Sequence, residues 1–154
     1  MILSLLRVVR HSYHPHTGVM IPNTDGTWKL NPVAPGVMTE PGLVIYRFGS
    51  TLFYANANRF AEEVTCLAGQ PPSKVRWLIV DAEAITQLDY SAARVLREAH
   101  QNLTSCGTQL GFARVSWDLK ADFARHQVTE FIEPSLIFNR LHDALEAFEK
   151  LERP

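Results

Sequence analysis

The stretch VRWLIVDAEAITQLDYSAA, residues 75–93, decides the fold of this chain of 154 residues. Its first six residues are almost all apolar, which is typical of a strand buried on both faces of a parallel sheet. The strand is predicted to end at Asp81, and a polar loop follows over residues 81–90. From Ser91 the apolar residues recur with the period of a helix, which predicts a strand–loop–helix unit of an α/β fold. The helical stripe consists of Ala92, Val95, Leu96, Ala99 and Leu103.

Strands and helices alternate on both sides of this stretch. Further strands are predicted over residues 43–48, 110–115 and 136–138. Three further helices are predicted. The first begins at a cap, Asn56, and ends before Pro71-Pro72, and the other two cover residues 119–127 and 141–151. Residues 18–21 and 27–30 are predicted to form an N-terminal hairpin around the turn Asp25-Gly26. The fold class is therefore α/β, with a mixed, mainly parallel sheet, an antiparallel N-terminal edge and about four flanking helices.

Composition and charge exclude several classes of protein. Apolar residues make up 46% and charged residues 20% of the chain, as in an ordinary globular domain. The net charge of −1 gives no electrostatic basis for binding nucleic acid. Cys66 and Cys106 are too few for a disulfide framework and favour a reducing compartment. The longest apolar run, residues 1–9, is interrupted by Arg7 and is too short to span a membrane.

The carboxyl ends of the parallel strands are the predicted functional edge, because ligands of open α/β sheets collect there. These ends lie in residues 49–58, 81–91 and 116–120. Asp89 or Ser91 can cap the helix that begins after the second loop, which is the purely structural interpretation. The same helix start could hold a phosphate, either free or attached to the hydroxyl of Tyr90 or Ser91.

Three segments in order resemble the STAS domain, the module shared by sulfate transporters and anti-sigma-factor antagonists. The first is a strand ending at Asp81, a loop, and then Asp-x-Ser-Ala at residues 89–92. The second is PGLVIYR at residues 41–47, followed by LFYANA at residues 52–57. The third is Ile137-Phe138, followed by HDAL at residues 142–145. The resemblance covers about residues 17–151 and points to the branch found in bacterial SulP-type anion permeases.

The resemblance implies a regulatory role at the cytoplasmic face of the membrane. In the permeases the STAS domain follows the last membrane helix as a C-terminal soluble domain. Residues 1–9 then look like the inner end of that helix, with Arg7 and Arg10 on the cytosolic side. Residues 1–16 would form a juxtamembrane tail and residues 17–151 the STAS domain. The expected partners are the transmembrane domain and, as a further expectation, a second copy of the chain.

Two surfaces are candidates for this role. The first is a regulatory or phospho-switch loop that contains Asp81, Thr86, Asp89, Tyr90 and Ser91. The second is a docking or nucleotide surface that contains Phe53, Tyr54, Asn56 and Asn58. The pair Phe53-Tyr54 has two interpretations, since aromatic side chains can plug the top of the sheet or anchor an interface.

Binding of GTP or ATP is expected to be weak. STAS domains are often suggested to bind these nucleotides, and the resemblance implies a site at the strand ends. However, the chain lacks both GxxxxGK[ST] and GxGxxG, and neither loop contains a lysine. Asp81, Glu83 and Asp89 would also repel phosphate. No cofactor is predicted.

One of two departures from the family pattern bears on the alternative function, a free-standing switch like the anti-sigma-factor antagonists. In those proteins the residue after the loop Asp is a phosphorylated Ser or Thr, whereas Tyr90 occupies that position and Ser91 follows it. This substitution favours the transporter branch. Gln127 stands where many relatives have Gly, so the preceding helix is expected to end differently.

Metal binding and catalysis are not predicted. His11, His14 and His16 have a spacing that could hold Zn²⁺, but they surround Pro15 in the predicted tail and have no Cys or carboxylate nearby. Ser91 has no histidine predicted beside it to act as a base. A pair of carboxylates at Asp81 and Asp89 could in principle work as acid and base, but nothing else in the sequence supports an enzyme.

Overall fold

A computed structural model describes residues 15–69 and 74–153. The predicted end of a membrane helix at residues 1–9, together with His11 and His14, lies outside the described residues. The predicted helix stop at Pro71-Pro72 also lies outside them. Within the described residues, no helix is both long enough and apolar enough to cross a membrane.

Within the described residues, six strands form one mixed sheet in the order β2-β1-β3-β4-β5-β6. The strands are β1 (Thr17–Pro22), β2 (Trp28–Asn31), β3 (Leu43–Phe48), β4 (Trp77–Asp81), β5 (Gln109–Ala113) and β6 (Ile137–Phe138). β1 is antiparallel to both β2 and β3, whereas β3, β4, β5 and β6 are parallel. The predicted mainly parallel sheet with an antiparallel N-terminal edge is therefore confirmed.

Four α-helices flank the sheet in the described part of the chain. They are α1 (Ala57–Ala68), α2 (Tyr90–Ser105), α3 (Trp117–Arg125) and α4 (Leu141–Glu152). Helices α1 to α3 cover one face over a large apolar core, and α4 covers the other face over a smaller core. Strand β4 is buried along its whole length because it lies between these two layers, as its continuous apolar run predicts.

The alternation of side chains along β4 determines which layer each residue joins. Leu78 and Val80 belong to the large core, whereas Trp77 and Ile79 belong to the core under α4. Since side chains alternate between the faces of a sheet, Asp81 lies on the α4 face. The side chain of Asp81 therefore points away from the core that α1, α2 and α3 cover.

The ends of the helices differ from the predicted ones at particular residues. Helix α2 begins at Tyr90, one residue earlier than predicted, and Asp89 rather than Ser91 accepts the capping hydrogen bond, from the Ala92 N–H at 2.7 Å. Helix α3 begins at Trp117, two residues earlier than predicted, because Ser116 accepts from the Leu119 N–H. It ends at Arg125, and Gln127 adopts the left-handed conformation with φ of 59°.

Candidate functional site

The loops that follow β3 and β4 are joined by three hydrogen bonds at the carboxyl edge of the sheet. The Leu52 N–H donates to the Gln87 carbonyl oxygen at 3.3 Å. The hydroxyls of Thr51 and Thr86 share a hydrogen bond of 2.9 Å. The Tyr54 N–H donates to Oδ2 of Asp89 at 2.9 Å. The structure thus brings Thr86 and Asp89 of the predicted switch loop together with the loop that carries the predicted docking surface.

Asp89 holds this site together. Its Oδ1 accepts from the Ala92 N–H and caps α2, while its Oδ2 accepts from the Tyr54 N–H in the other loop. Ser91 is exposed at the second position of the helix, and Tyr90 is exposed at the first. Of the two interpretations of this helix start, a cap or a phosphate site, the structure shows the cap, and an anion would have to displace the Asp89 carboxylate.

A groove of about 380 Å³ opens between these loops and α3, and we call it the loop groove. Asp122 closes its base: it is buried, its Oδ2 accepts from the Leu88 N–H at 3.0 Å, and its Oδ1 accepts from Arg125 at 2.9 Å. No pattern in the sequence indicated this contribution from α3. The groove is lined by Thr51, Leu52, Phe53, Gln87, Leu88, Asp89, Tyr90, Asp122, Arg125 and His126.

Large exposed aromatic side chains surround the same edge of the sheet. Tyr54 is 67% exposed, Tyr90 is 68% exposed and Trp117 is 85% exposed. Tyr90 packs against His126 with 6.4 Å between ring centroids, and Phe53, which is half-buried, packs edge-on against Tyr54. Tyr54 does not plug the top of the sheet, so the core interpretation of the Phe53-Tyr54 pair fails for this member of the pair.

The two asparagines of the predicted docking surface have different surroundings. Asn56 is buried, and its side chain donates to the Thr51 carbonyl oxygen at 2.9 Å and accepts from the Phe53 N–H at 3.0 Å. It stands at the N-cap position of α1 but makes no capping hydrogen bond with its side chain, so the predicted capping role is wrong. It shapes the loop instead. Asn58 is exposed on the first turn of α1.

Asp81 lies apart from the loop groove. Its buried carboxylate accepts two hydrogen bonds from Arg114, at 2.9 and 2.6 Å, and Arg47 approaches it to 3.8 Å. Burial disfavours the charged form of Arg114 and would lower its pKa. The hydrogen bonds to Asp81 and the negative charges of Asp81 and Glu83 outweigh this effect, so the pKa of Arg114 is raised. The structure therefore separates Asp81 from the other residues of the predicted switch loop.

The loop groove and its surroundings present hydrogen-bonding groups and exposed aromatic side chains. Among the described residues, no group of three or more His, Cys, Asp or Glu side chains could hold a metal ion. The charged side chains of the loop groove include Asp122 and Arg125, which form an ion pair. A surface of this kind is suited to protein contacts, which use exposed aromatic anchors surrounded by polar groups.

Comparison with known proteins identifies the family. The STAS domain profile matches residues 34–144, so the chain belongs to the STAS domain family. A probable sulfate transporter of Mycobacterium tuberculosis is 30% identical over 150 residues, which cover 96% of this chain and 27% of that protein. The chain is a STAS domain homologous to those of SulP sulfate transporters, and it spans about a quarter of the length of such relatives.

Solved structures agree with this assignment at the level of the fold. The murine Slc26a9 anion transporter in the inward-facing state has a TM-score of 0.77 and 19% identity, over 97% of this chain and 24% of that one. The STAS domain of a Vibrio cholerae SulP transporter has a TM-score of 0.57 and 16% identity, over 70% of this chain and 82% of that one. The anti-sigma-factor antagonist SpoIIAA has a TM-score of 0.58 and 11% identity, over 74% of this chain and 94% of that one.

Proposed function

We propose that this chain is the regulatory domain of a SulP-type anion transporter and docks on the transmembrane domain at the cytoplasmic face of the membrane. The observation that carries the proposal is the exposed aromatic edge, which consists of Tyr90 in the lining of the loop groove, Tyr54 in the loop after β3 and Trp117 at the start of α3. Exposed Tyr and Trp side chains are frequent energetic anchors of protein interfaces. Homology to transporter STAS domains supports the class of partner.

Regulation requires contacts that differ between transport states. A domain can shift the equilibrium of a transporter only by binding one state more tightly than another. Asp89 ties the loop after β3 to the start of α2, so Tyr54 and Tyr90 would move together against the membrane domain. The chain needs no catalysis for this role. A second copy of the chain is a further proposed partner, and weak binding of GTP or ATP remains a prediction.

Binding to membrane-embedded transporter tests the docking proposal. The SulP-type transmembrane domain from the same organism would be held in nanodiscs and titrated with the purified chain. Tyr54→Ser and Trp117→Ser should each weaken binding by about tenfold or more, because an interface anchor is worth about 2 kcal/mol or more. Leu30→Ser and Leu151→Ser remove exposed apolar side chains elsewhere and serve as matched controls. Equal loss in all four variants would contradict the proposal.

A free-standing phospho-switch is the second candidate, and one observation favours it. Tyr90 and Ser91 are both exposed at the start of α2, so a kinase could reach either hydroxyl. Phosphorylation there would place new negative charge beside the Asp89 carboxylate. Mass spectrometry of the chain purified from its host distinguishes the phospho-switch from the transporter domain. Stoichiometric phosphate on Tyr90 or Ser91, with no association with a transmembrane domain, would support the switch.

A further inference from the structure

A second concave site lies on the opposite face of the sheet from the loop groove. It is a cavity of about 330 Å³ beside the start of α4, and we call it the arginine cavity. Its polar lining comes from three separate parts of the fold: Arg47 on β3, Arg114 just after β5, and Arg140 with His142 at the start of α4. Trp28 and Leu141 contribute apolar wall.

The lining of the arginine cavity is basic. Asp81, Glu83 and Asp143 pair with its guanidinium groups, yet none of these carboxylates lines the cavity. The hydrogen bonds of Arg114 and Arg140 use Nε and Nη2, and that of Arg47 uses Nη2. Within the part of the chain that the structure describes, no group accepts from the Nη1 of these three residues. Donors thus remain for a ligand.

The guanidinium groups are held in place before any ligand arrives. Arg114 forms a two-point pair with the fully buried Asp81, and Glu83 receives both Arg114 at 3.0 Å and Arg47 at 2.8 Å. Arg140 binds Asp143 at 2.7 Å, and its backbone N–H donates to the same carboxylate. Fixed donors lose little conformational entropy on binding, which favours recognition of planar or tetrahedral oxyanions.

We propose that the arginine cavity binds a small oxyanion, either a carboxylate or an inorganic ion such as sulfate or phosphate. Arginine donors match the paired oxygens of such ions. The volume lies at the lower end of the range for ligand sites, which suits a small ion better than a nucleotide. The three carboxylates behind the arginines offset their charge, so the affinity is modest. The site is independent of the docking proposed above.

Nuclear magnetic resonance of the purified chain tests the proposal. Sodium sulfate, sodium phosphate and sodium acetate are titrated separately, and sodium chloride at matched ionic strength is the reference. We expect saturable shifts of the Nε–H signals of Arg47, Arg114 and Arg140 and of the Trp28 indole, with the Trp117 indole unchanged. The ion that saturates at the lowest concentration identifies the class. Shifts that are linear with salt, or that chloride reproduces, would overturn the proposal.

Two variants act in opposite directions and separate binding from damage to the fold. Arg140→Gln should weaken binding about tenfold, since it removes a charge-assisted donor. Glu83→Gln should tighten binding several-fold, because the amide oxygen can still accept from Arg47 and Arg114 while the half-exposed negative charge that repels an anion is removed. Arg153→Gln breaks an exposed pair with Glu149 and is the matched control. Failure of Glu83→Gln to tighten binding would contradict the site even if Arg140→Gln weakened it.

Discussion

The carboxylate of Asp89 accepts a hydrogen bond from the backbone N–H of Tyr54 at 2.9 Å, although the two residues lie 35 positions apart in the chain. The other oxygen of the same carboxylate caps α2. One side chain therefore fixes both the start of a helix and the loop that presents an exposed aromatic residue. This relationship joins the two segments that carry Tyr54 and Tyr90, and it suggests the first prediction.

Asp89→Ala should lower the free energy of unfolding by about 1–3 kcal/mol. The variant loses a helix cap and leaves the Tyr54 N–H without its acceptor. Urea denaturation followed by circular dichroism measures the change. Asp118→Ala, in the exposed first turn of α3, is the matched control and should cost less than about 1 kcal/mol. Equal losses in the two variants would show that Asp89 does not bridge the loops in solution.

Gln127→Gly should stabilise the chain by about 0.5–1 kcal/mol. Gln127 has a φ of 59°, and this left-handed conformation costs a residue with a side chain about 1–2 kcal/mol. Glycine avoids that cost, but it also makes the unfolded chain more flexible, which cancels part of the gain. Thermal and urea unfolding both report the gain. Gln101→Gly, on the exposed side of α2, applies the same substitution to a helix interior and should destabilise by about 1 kcal/mol. A loss of stability in Gln127→Gly would contradict the explanation.

Arg114→Leu should destabilise the fold by about 3 kcal/mol. Asp81 is fully buried, and without Arg114 its charge would lose a two-point partner. Replacing Asp81 with Asn in the same chain should recover part of the loss, since an amide costs less to bury than a carboxylate. Arg153→Leu breaks an exposed ion pair and should cost less than about 1 kcal/mol. A double variant no more stable than Arg114→Leu would argue against this pairing.

Glu40→Gln should raise stability at neutral pH but not in acid. Burial, followed by repulsion from Glu149 and Glu152, raises the pKa of the Glu40 carboxyl above its usual value. The folded state therefore holds this proton to higher pH than the unfolded state, and the wild-type chain loses stability as pH rises through that window. The gain should appear above the raised pKa and vanish below the ordinary pKa of a glutamate.

Unfolding free energies measured across the acid range, at matched ionic strength, check this difference. Glu62→Gln removes an exposed carboxylate on α1 and serves as the control, for which we expect little dependence of the gain on pH. A gain for Glu40→Gln that persists undiminished in acid would assign the effect to something other than the charge of Glu40.

The sheet and helices could be predicted because their signals are local. The apolar run before Asp81 and the helical stripe after Ser91 each lie within one element, so periodicity was sufficient. The N-terminal hairpin followed from a turn dipeptide between two short extended pieces. The exact first residues of α2 and α3 were harder to predict, because several residues near each start can act as the cap. At α2 the candidates are Asp89 and Ser91, and at α3 they are Ser116 and its neighbours.

The site was only partly predictable because its contacts are long-range. The sequence grouped Asp81 with Asp89, yet alternation along β4 puts Asp81 on the face that carries α4. That alternation is readable from the sequence and was the missed signal. The partnership of Asp81 with Arg114 spans 33 residues, and no local pattern indicates it. The contribution of Asp122 and Arg125 from α3 was missed for the same reason.

Site-specific photo-crosslinking in living cells tests the docking account most directly. A photoreactive phenylalanine analogue would replace Tyr54 or Trp117, and in control cells it would replace Leu30 or Leu151. The account predicts crosslinks from positions 54 and 117 to cytoplasmic segments of a SulP-type transmembrane domain, identified by peptide sequencing, and a yield that changes when transport substrate is added. Absence of such crosslinks, or equal crosslinking from positions 30 and 151, would contradict it.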